Sequence, residues 1–211
     1  MPPMPELNGV SDEIRKRLDA KSEGREKGLR GSRQAIRECA NSIRATHRAD
    51  FDLAQELMSA AKASLDGARA AMKPFPDIYY AGFLQDAEKE YAEARATFAL
   101  IGGKEIPTPG DLEVGDAPYL NGLAEAIGEL RRHILDIMRQ GKLERSEELL
   151  GAMDDIYYVL VSMDYPDAMT GGLRRTTDVA RSIMERTRGD LSLTLVQQNI
   201  ADTMAGERKK G

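Results

Sequence analysis

The stretch LNGLAEAIGELRRHILDIM (120–138) sets Leu120, Leu123, Ile127, Leu130, Ile134 and Met138 at alternating steps of three and four. That spacing is one apolar stripe of an amphipathic helix. Glu125 and Glu129 lie one turn apart on the other side. Working outward, Leu149, Met153, Ile156 and Leu160 repeat the pattern over 149–161, as do Tyr79, Phe83, Ala87, Tyr91, Ala94 and Phe98 over 79–98. No convincing period-2 run or β-hairpin signal is found. The expected class is all-α, a bundle of about seven helices.

Proline and glycine set the boundaries. Pro74 in KPFPD divides a helix of roughly 50–73 from one of roughly 77–100. The Gly- and Pro-rich GGKEIPTPGDLEVGDAP (102–118) reads as a loop, as does YPDAMTGG (165–172). Gly141 separates helices near 118–140 and 142–163. In TRGDLS, Gly189 suits a helix end and Asp190 the next helix start. The first helix is long, roughly 10–47. A single domain over 1–211 is expected, with flexible tails at 1–9 and 206–211.

Composition narrows the function classes. Cys39 is the only cysteine of the 211 residues, so an intrachain disulfide framework and a Cys-based zinc site are excluded. No apolar run approaches the roughly 18–20 residues of a membrane span. The opening MPPMPE has no basic or apolar signal region, so a cytoplasmic chain is expected. No Glu-x-x-His pair of a ferritin-like di-iron site occurs. No phosphate-binding glycine fingerprint occurs either. Cys39, beside Ala40 and Ile43, reads as a packed thiol, and the Tyr79–Tyr80 and Tyr157–Tyr158 pairs read as core. His47, beside Arg48, reads as a phosphate contact or a capping residue.

Charge is unevenly placed. The formal net charge is −5, yet residues 15–48 carry eleven Lys/Arg against four Asp/Glu. On a helical wheel, Arg30, Arg33, Arg37, Arg44 and Arg48 fall within about 60° of one another, with Asn41 in the same line. Arginine forks suit phosphate oxygens, and a groove that tracks a nucleic-acid backbone needs such a line. The alternative is a solvated face.

The acids form a second pattern. Asp86, Glu90 and Glu93 share one side of a helix, and Glu125 and Glu129 share a side of another. Glu90 and Glu125 lack a Lys or Arg at helical reach. Like charges at i,i+4 cost a few tenths of a kcal/mol. A divalent ion reverses that sign, because carboxylate oxygens are natural ligands of Mg²⁺ and Mn²⁺. Such ions activate water and stabilise a leaving oxygen in phosphodiester cleavage. Two solvated acidic faces are again the alternative.

These blocks resemble the translin family, whose branches are translin and TRAX. The resemblance is carried by GLRRTTDVARSIMERTRGDLSLTLVQQNI (172–200), IGELRRHILDIMRQGKLERSEELL (127–150), DYPDA (164–168), FPDIYY (75–80) and EYAEA (90–94), in family order over roughly 10–200. It implies a seven-helix fold assembled into a hollow octamer around RNA or single-stranded DNA. It also implies the TRAX activity, an Mg²⁺-dependent endoribonuclease whose acids line the inner wall. The matching acids are Glu90 and Glu93 in Glu-Tyr-Ala-Glu-Ala, and Glu125 and Glu129 around Gly128. Glu125 stands where TRAX has Asp, which lengthens the arm by one methylene. Residues 77–88 lack the basic residues of translin proper, which places the chain nearer the catalytic branch.

The expected function is therefore metal-dependent cleavage of single-stranded RNA inside a homo-oligomeric shell. Glu90, Glu93, Glu125 and Glu129 would hold Mg²⁺ or Mn²⁺. Arg30, Arg33, Arg37, Arg44 and Arg48 would hold the nucleic acid, helped by Arg174 and Arg175 after Gly171-Gly172. The rivals are a non-catalytic RNA- or single-stranded-DNA-binding shell and a helical adaptor that binds protein only.

Overall fold

Each apolar stripe becomes a buried helix face. The computed structural model describes the backbone of residues 7–208 and the side chains of residues 9–205. Of the tails expected at 1–9 and 206–211, residues 1–6 and 209–211 lie outside the described residues. Within them the order is α1 (Leu7–His47), α2 (Phe51–Met72), α3 (Pro76–Tyr79), α4 (Phe83–Ile101), α5 (Pro109–Leu112), α6 (Asp116–Met138), α7 (Leu143–Ser162), α8 (Asp167–Thr170) and α9 (Leu173–Arg208), with no strand. No helix among the described residues is long and apolar enough to cross a membrane.

The all-α class is as predicted, and the boundaries differ in four places. Helix runs through 7–9 and 206–208, where tails were expected. The helix expected over 77–100 breaks after Tyr79, because Gly82 sits at φ +103°, a conformation that side chains disfavour. The Gln85 side chain holds that corner, accepting from the Gly82 N–H and donating to the Tyr79 carbonyl. Both expected loops contain a one-turn helix, α5 and α8, the first capped by Thr108 and Asp111. The break expected at Gly189–Asp190 is absent. Arg131 takes the Asp190 carboxylate at 2.8 Å and Leu191 is buried against α6, so tertiary packing overrides local propensity.

Two apolar cores share α4. Helices α1 and α2 pair, and α4 packs on both; α6 packs on α4; α7 and α9 pack on α6 and on each other. The first core joins α1, α2 and α4 around Met58, Leu65, Met72 and Tyr91. The second joins α6, α7 and α9 around Ile127, Leu130, Ile134, Met153 and Leu191. Asn121, at the start of α6, donates to the carbonyls of Ala117 and Thr170 and accepts from the Thr176 hydroxyl, tying α6 to α8 and α9.

The joint between the cores is set by a missing side chain. A Cβ on Gly122 would lie 2.6 Å from the Lys89 carbonyl oxygen, 2.8 Å from the Ala92 Cβ and 2.9 Å from the Glu93 amide nitrogen. Those are backbone atoms of α4 and a packed methyl, which cannot swing aside. Gly122→Ala is therefore expected to push α6 off α4 and to destabilise the fold by about 1–3 kcal/mol, read from chemical denaturation. Gly151→Ala, in open space on α7, serves as the control with no such loss.

Candidate metal centre and nucleic-acid interface

The close approach at Gly122 brings acids from two helices together. Glu90 and Glu93 sit on α4, and Glu125 sits on α6 one turn after Gly122. One oxygen of each lies within 4.8 Å of one oxygen of the other two. Glu93 is buried; Glu90 and Glu125 are half-buried. At an effective dielectric of about 20, bare like charges at such separations repel by about 3–4 kcal/mol per pair. That far exceeds the few tenths felt on an exposed helix face, so the charge must be neutralised.

Two devices do this. The first is a proton: burial and the charges of Glu90, Glu125 and Glu129 push the Glu93 carboxyl up to about 8. The second is Lys89. Its Nζ lies 2.7 Å from Glu125 Oε1, 2.7 Å from Glu125 Oε2 and 3.3 Å from Glu90 Oε1. Burial works against this ammonium, but the hydrogen bond and charge of Glu125 and the charge of Glu90 outweigh it. Its pKa is therefore above the ordinary lysine value. The acids expected to lack a cationic partner thus have one, from the neighbouring residue and from the other helix.

Glu129 stands apart from the three. His47 Nε2 lies 2.5 Å from Glu129 Oε2, and Arg132 Nη1 is 3.8 Å from the same oxygen. The His47 hydrogen bond, against the opposing effect of burial, holds the Glu129 carboxyl below the usual range. His47 is therefore not a phosphate contact, since its side chain is only 5% exposed. It ties the end of α1 to α6, and its Nδ1 is buried without a hydrogen-bond partner. The neighbouring His133 ring is tilted against it at 6.1 Å. Burial, then the charges of His47 and Arg145, hold His133 below the ordinary histidine value.

The donor set fits a hard divalent cation. Three carboxylates from two helices offer only oxygen, and an ammonium already occupies the space between two of them as a stand-in cation.

The basic stripe stands clear of this cluster's pairing. Arg30, Arg33, Arg37, Arg44 and Arg48 are all exposed, and none has an ion-pair partner among the described residues. Arg37 donates to Gln34, and Arg44 to Asn41 at 2.5 Å, both neutral acceptors on α1 itself. Arg174 and Arg175 are exposed at the start of α9, a helix packed on α6, α7 and α8 rather than beside the stripe. Arg174 reaches Asp164 at 3.5 Å. Cys39 is fully buried, as predicted, its thiol pushed up by burial and then by Glu90, Glu38 and Glu93. The tyrosine pairs are not core throughout: Tyr80 and Tyr158 are 75% and 72% exposed.

With this geometry in view, the chain defines an all-helical protein with a tricarboxylate seam and an unpaired arginine line. It belongs to the translin family. The crystal structure of AfC3PO superposes with a TM-score of 0.82 at 34% identity, covering 89% of this chain and 98% of that one. The structure of an AfC3PO–duplex RNA complex matches with the same score and identity, covering 89% and 97%. Apo-NeC3PO shares the fold, with a TM-score of 0.74 at 21% identity over 92% of this chain and all of that one. An uncharacterised protein of Methanocaldococcus jannaschii is 31% identical over 182 residues, 85% of this chain and 80% of its own length. No protein-family model matches the chain.

The raised Glu93 pKa has a sign that can be measured. Below about 4.5 the carboxyl is protonated whether the chain is folded or not. Between about 4.5 and about 8 the unfolded chain releases the proton while the folded chain keeps it, so stability falls as pH rises and then levels. Urea denaturation of metal-free protein from pH 5 to 8 is expected to show this decline. Glu93→Gln is expected to remove its share, on the order of a few kcal/mol.

Proposed function

We propose that this chain is an RNA-binding, divalent-metal-dependent endoribonuclease that works as a homo-oligomer. The observation that carries the reading is the convergence of Glu90, Glu93 and Glu125 within 4.8 Å, with the middle acid buried. Glu90, Glu93 and Glu125 would hold Mg²⁺ or Mn²⁺, which supplies activation of a water and charge neutralisation at the scissile phosphate. Glu129, held by His47, lies outside the three and suits the orientation of a water rather than ligation.

The arginines of α1 supply the electrostatic grip. Five guanidinium groups along one exposed line, without an ion-pair partner among the described residues, suit contacts to a phosphate backbone and leave its bases unread. AfC3PO has been solved with duplex RNA, which supports RNA as the polyanion for this chain. Single-stranded RNA remains the expected substrate, a reading supported by the resemblance of the acids to those of TRAX and by the lack of basic residues over 77–88.

Assembly is supported by apolar stripes that stay exposed among the described residues. Val10, Ile14 and Leu18 on α1, and Leu193, Val196, Ile200 and Met204 on α9, are exposed at helical spacing. A closed shell of eight 23.3 kDa chains would bury them. The second reading, a non-catalytic RNA-binding shell, is favoured by one specific fact. Lys89 already satisfies Glu90 and Glu125 without any metal.

Cleavage of end-labelled single-stranded and duplex RNA decides between the two. The wild type is expected to cut internally with Mg²⁺ or Mn²⁺ and not with EDTA. Glu90→Gln/Glu93→Gln is expected to lose cutting by a factor of at least about 100, the scale of losing a catalytic group, while still binding RNA. Equal cutting by both proteins, or by neither, leaves only the shell. For the stripe, Arg33→Gln/Arg37→Gln is expected to weaken RNA binding at any sequence. Its log–log salt dependence is expected to flatten by roughly 1–2.

A further inference from the structure

We propose that Lys89 is the built-in counter-cation of the acid cluster: its ammonium bridges Glu90 and Glu125 and must leave both before a divalent ion can take their oxygens. It thereby sets how weakly the centre holds that ion. This rests on reading Glu90, Glu93 and Glu125 as a metal centre.

The geometry is one of direct competition. Lys89 Nζ is 2.7 Å from each oxygen of Glu125 and 3.3 Å from Glu90 Oε1, so it uses oxygens that the tricarboxylate set would offer a metal. Its two partners lie on different helices, which distinguishes it from the exposed pairs one turn apart on a single helix, such as Lys27 with Glu23. Lys89 makes no ion pair with Glu93 within 4.0 Å among the described residues, so one acid of the three is left without a cation. An ammonium brings a single positive charge to the three acids. A divalent ion matches all three.

Departure is mechanically easy. The lysine stem is four carbons of flexible chain carrying three rotatable donors. Asp86 lies one turn earlier on α4 and is exposed, at the i−3 spacing that lysine reaches. The ammonium can therefore exchange one carboxylate environment for another without any helix moving. While it stays, it offsets the repulsion that the Gly122 contact forces on the acids. The metal-free protein is then stable and the loaded one forms only when free divalent ion is plentiful.

Mn²⁺ binding to the full-length protein, followed by titration calorimetry and by the electron paramagnetic resonance of free Mn²⁺, tests this without any activity assay. Lys89→Met and Lys89→Gln are each expected to bind Mn²⁺ about fivefold more tightly than the wild type, the order of one partly buried ion pair. Metal-free, both are expected to melt below the wild type, and Mn²⁺ is expected to raise their melting temperature more. Unchanged or weaker Mn²⁺ affinity in both variants, with helical circular dichroism intact, overturns the proposal and assigns Lys89 to another role such as a phosphate contact. Glu93→Gln separates the two levels of the argument. Mn²⁺ binding that requires Glu93 but ignores Lys89 removes this proposal and keeps the metal centre. Mn²⁺ binding by none of the folded proteins removes both.

Discussion

Two helices touch backbone to backbone at Gly122, and the rest of the candidate site depends on that contact. It fixes α6 against α4 at the level of Lys89, Ala92 and Glu93, and so delivers Glu125 to the acids of α4. The methyl of the buried Ala92 faces Gly122, and the buried Ala96 one turn further along α4 joins the core that α6 shares. The carboxylates are crowded because the helices are close, and the helices are close because no Cβ prevents it.

Crowded acids demand positive charge, and the protein meets the demand locally. Lys89 serves Glu90 and Glu125; a retained proton serves Glu93; His47 and Arg132 serve Glu129. Elsewhere the same rule holds with a different purpose. The buried Glu88 takes Arg69 Nη2 at 2.7 Å and Nε at 3.0 Å, and Arg69 also reaches the exposed Asp66. That pair closes a corner between α2 and α4 and offers no oxygen set to a metal. The contrast is useful. Glu88 has a forked guanidinium of its own, whereas Glu90, Glu93 and Glu125 share one ammonium and one proton.

Much of this is legible in the chain itself. The stripes at 120–138 and 149–161 predict α6 and α7, and the buried positions Leu123, Ile127, Leu130, Ile134, Leu149, Met153, Ile156 and Leu160 are those the spacing selects. The acids are legible because Glu90 and Glu125 have no cation at helical reach, which marks them as unusual on a 3.6-residue lattice. What periodicity cannot register is contact between helices. Lys89 meets Glu125 across 36 residues and His47 meets Glu129 across 82, so neither pair has a local signature. The helix ends at 79–83 and the continuity of α9 at 189–190 escape local sequence for a related reason. Gly82 looks no different from Gly189 in sequence, yet one ends at positive φ beside a Gln85 cap and the other is carried through by Arg131 and Leu191.

The arrangement of the two charge patterns has its own logic. An arginine line and a carboxylate cluster on one chain keep their separate charge only if they do not neutralise each other. The fold prevents this by curvature of a single helix surface. On α1, the exposed line carries Arg30, Arg33, Arg37, Arg44 and Arg48, while Cys39, Ser42, Ile43 and Thr46 face inward. The acid cluster lies on that inward side, close enough to raise the Cys39 thiol. The helix is a partition. It shows guanidinium groups to solvent and apolar or neutral groups to the carboxylates of α4, and at its last turn His47 crosses over to touch Glu129 of α6. The two charge patterns are therefore separated within one chain by the thickness of α1.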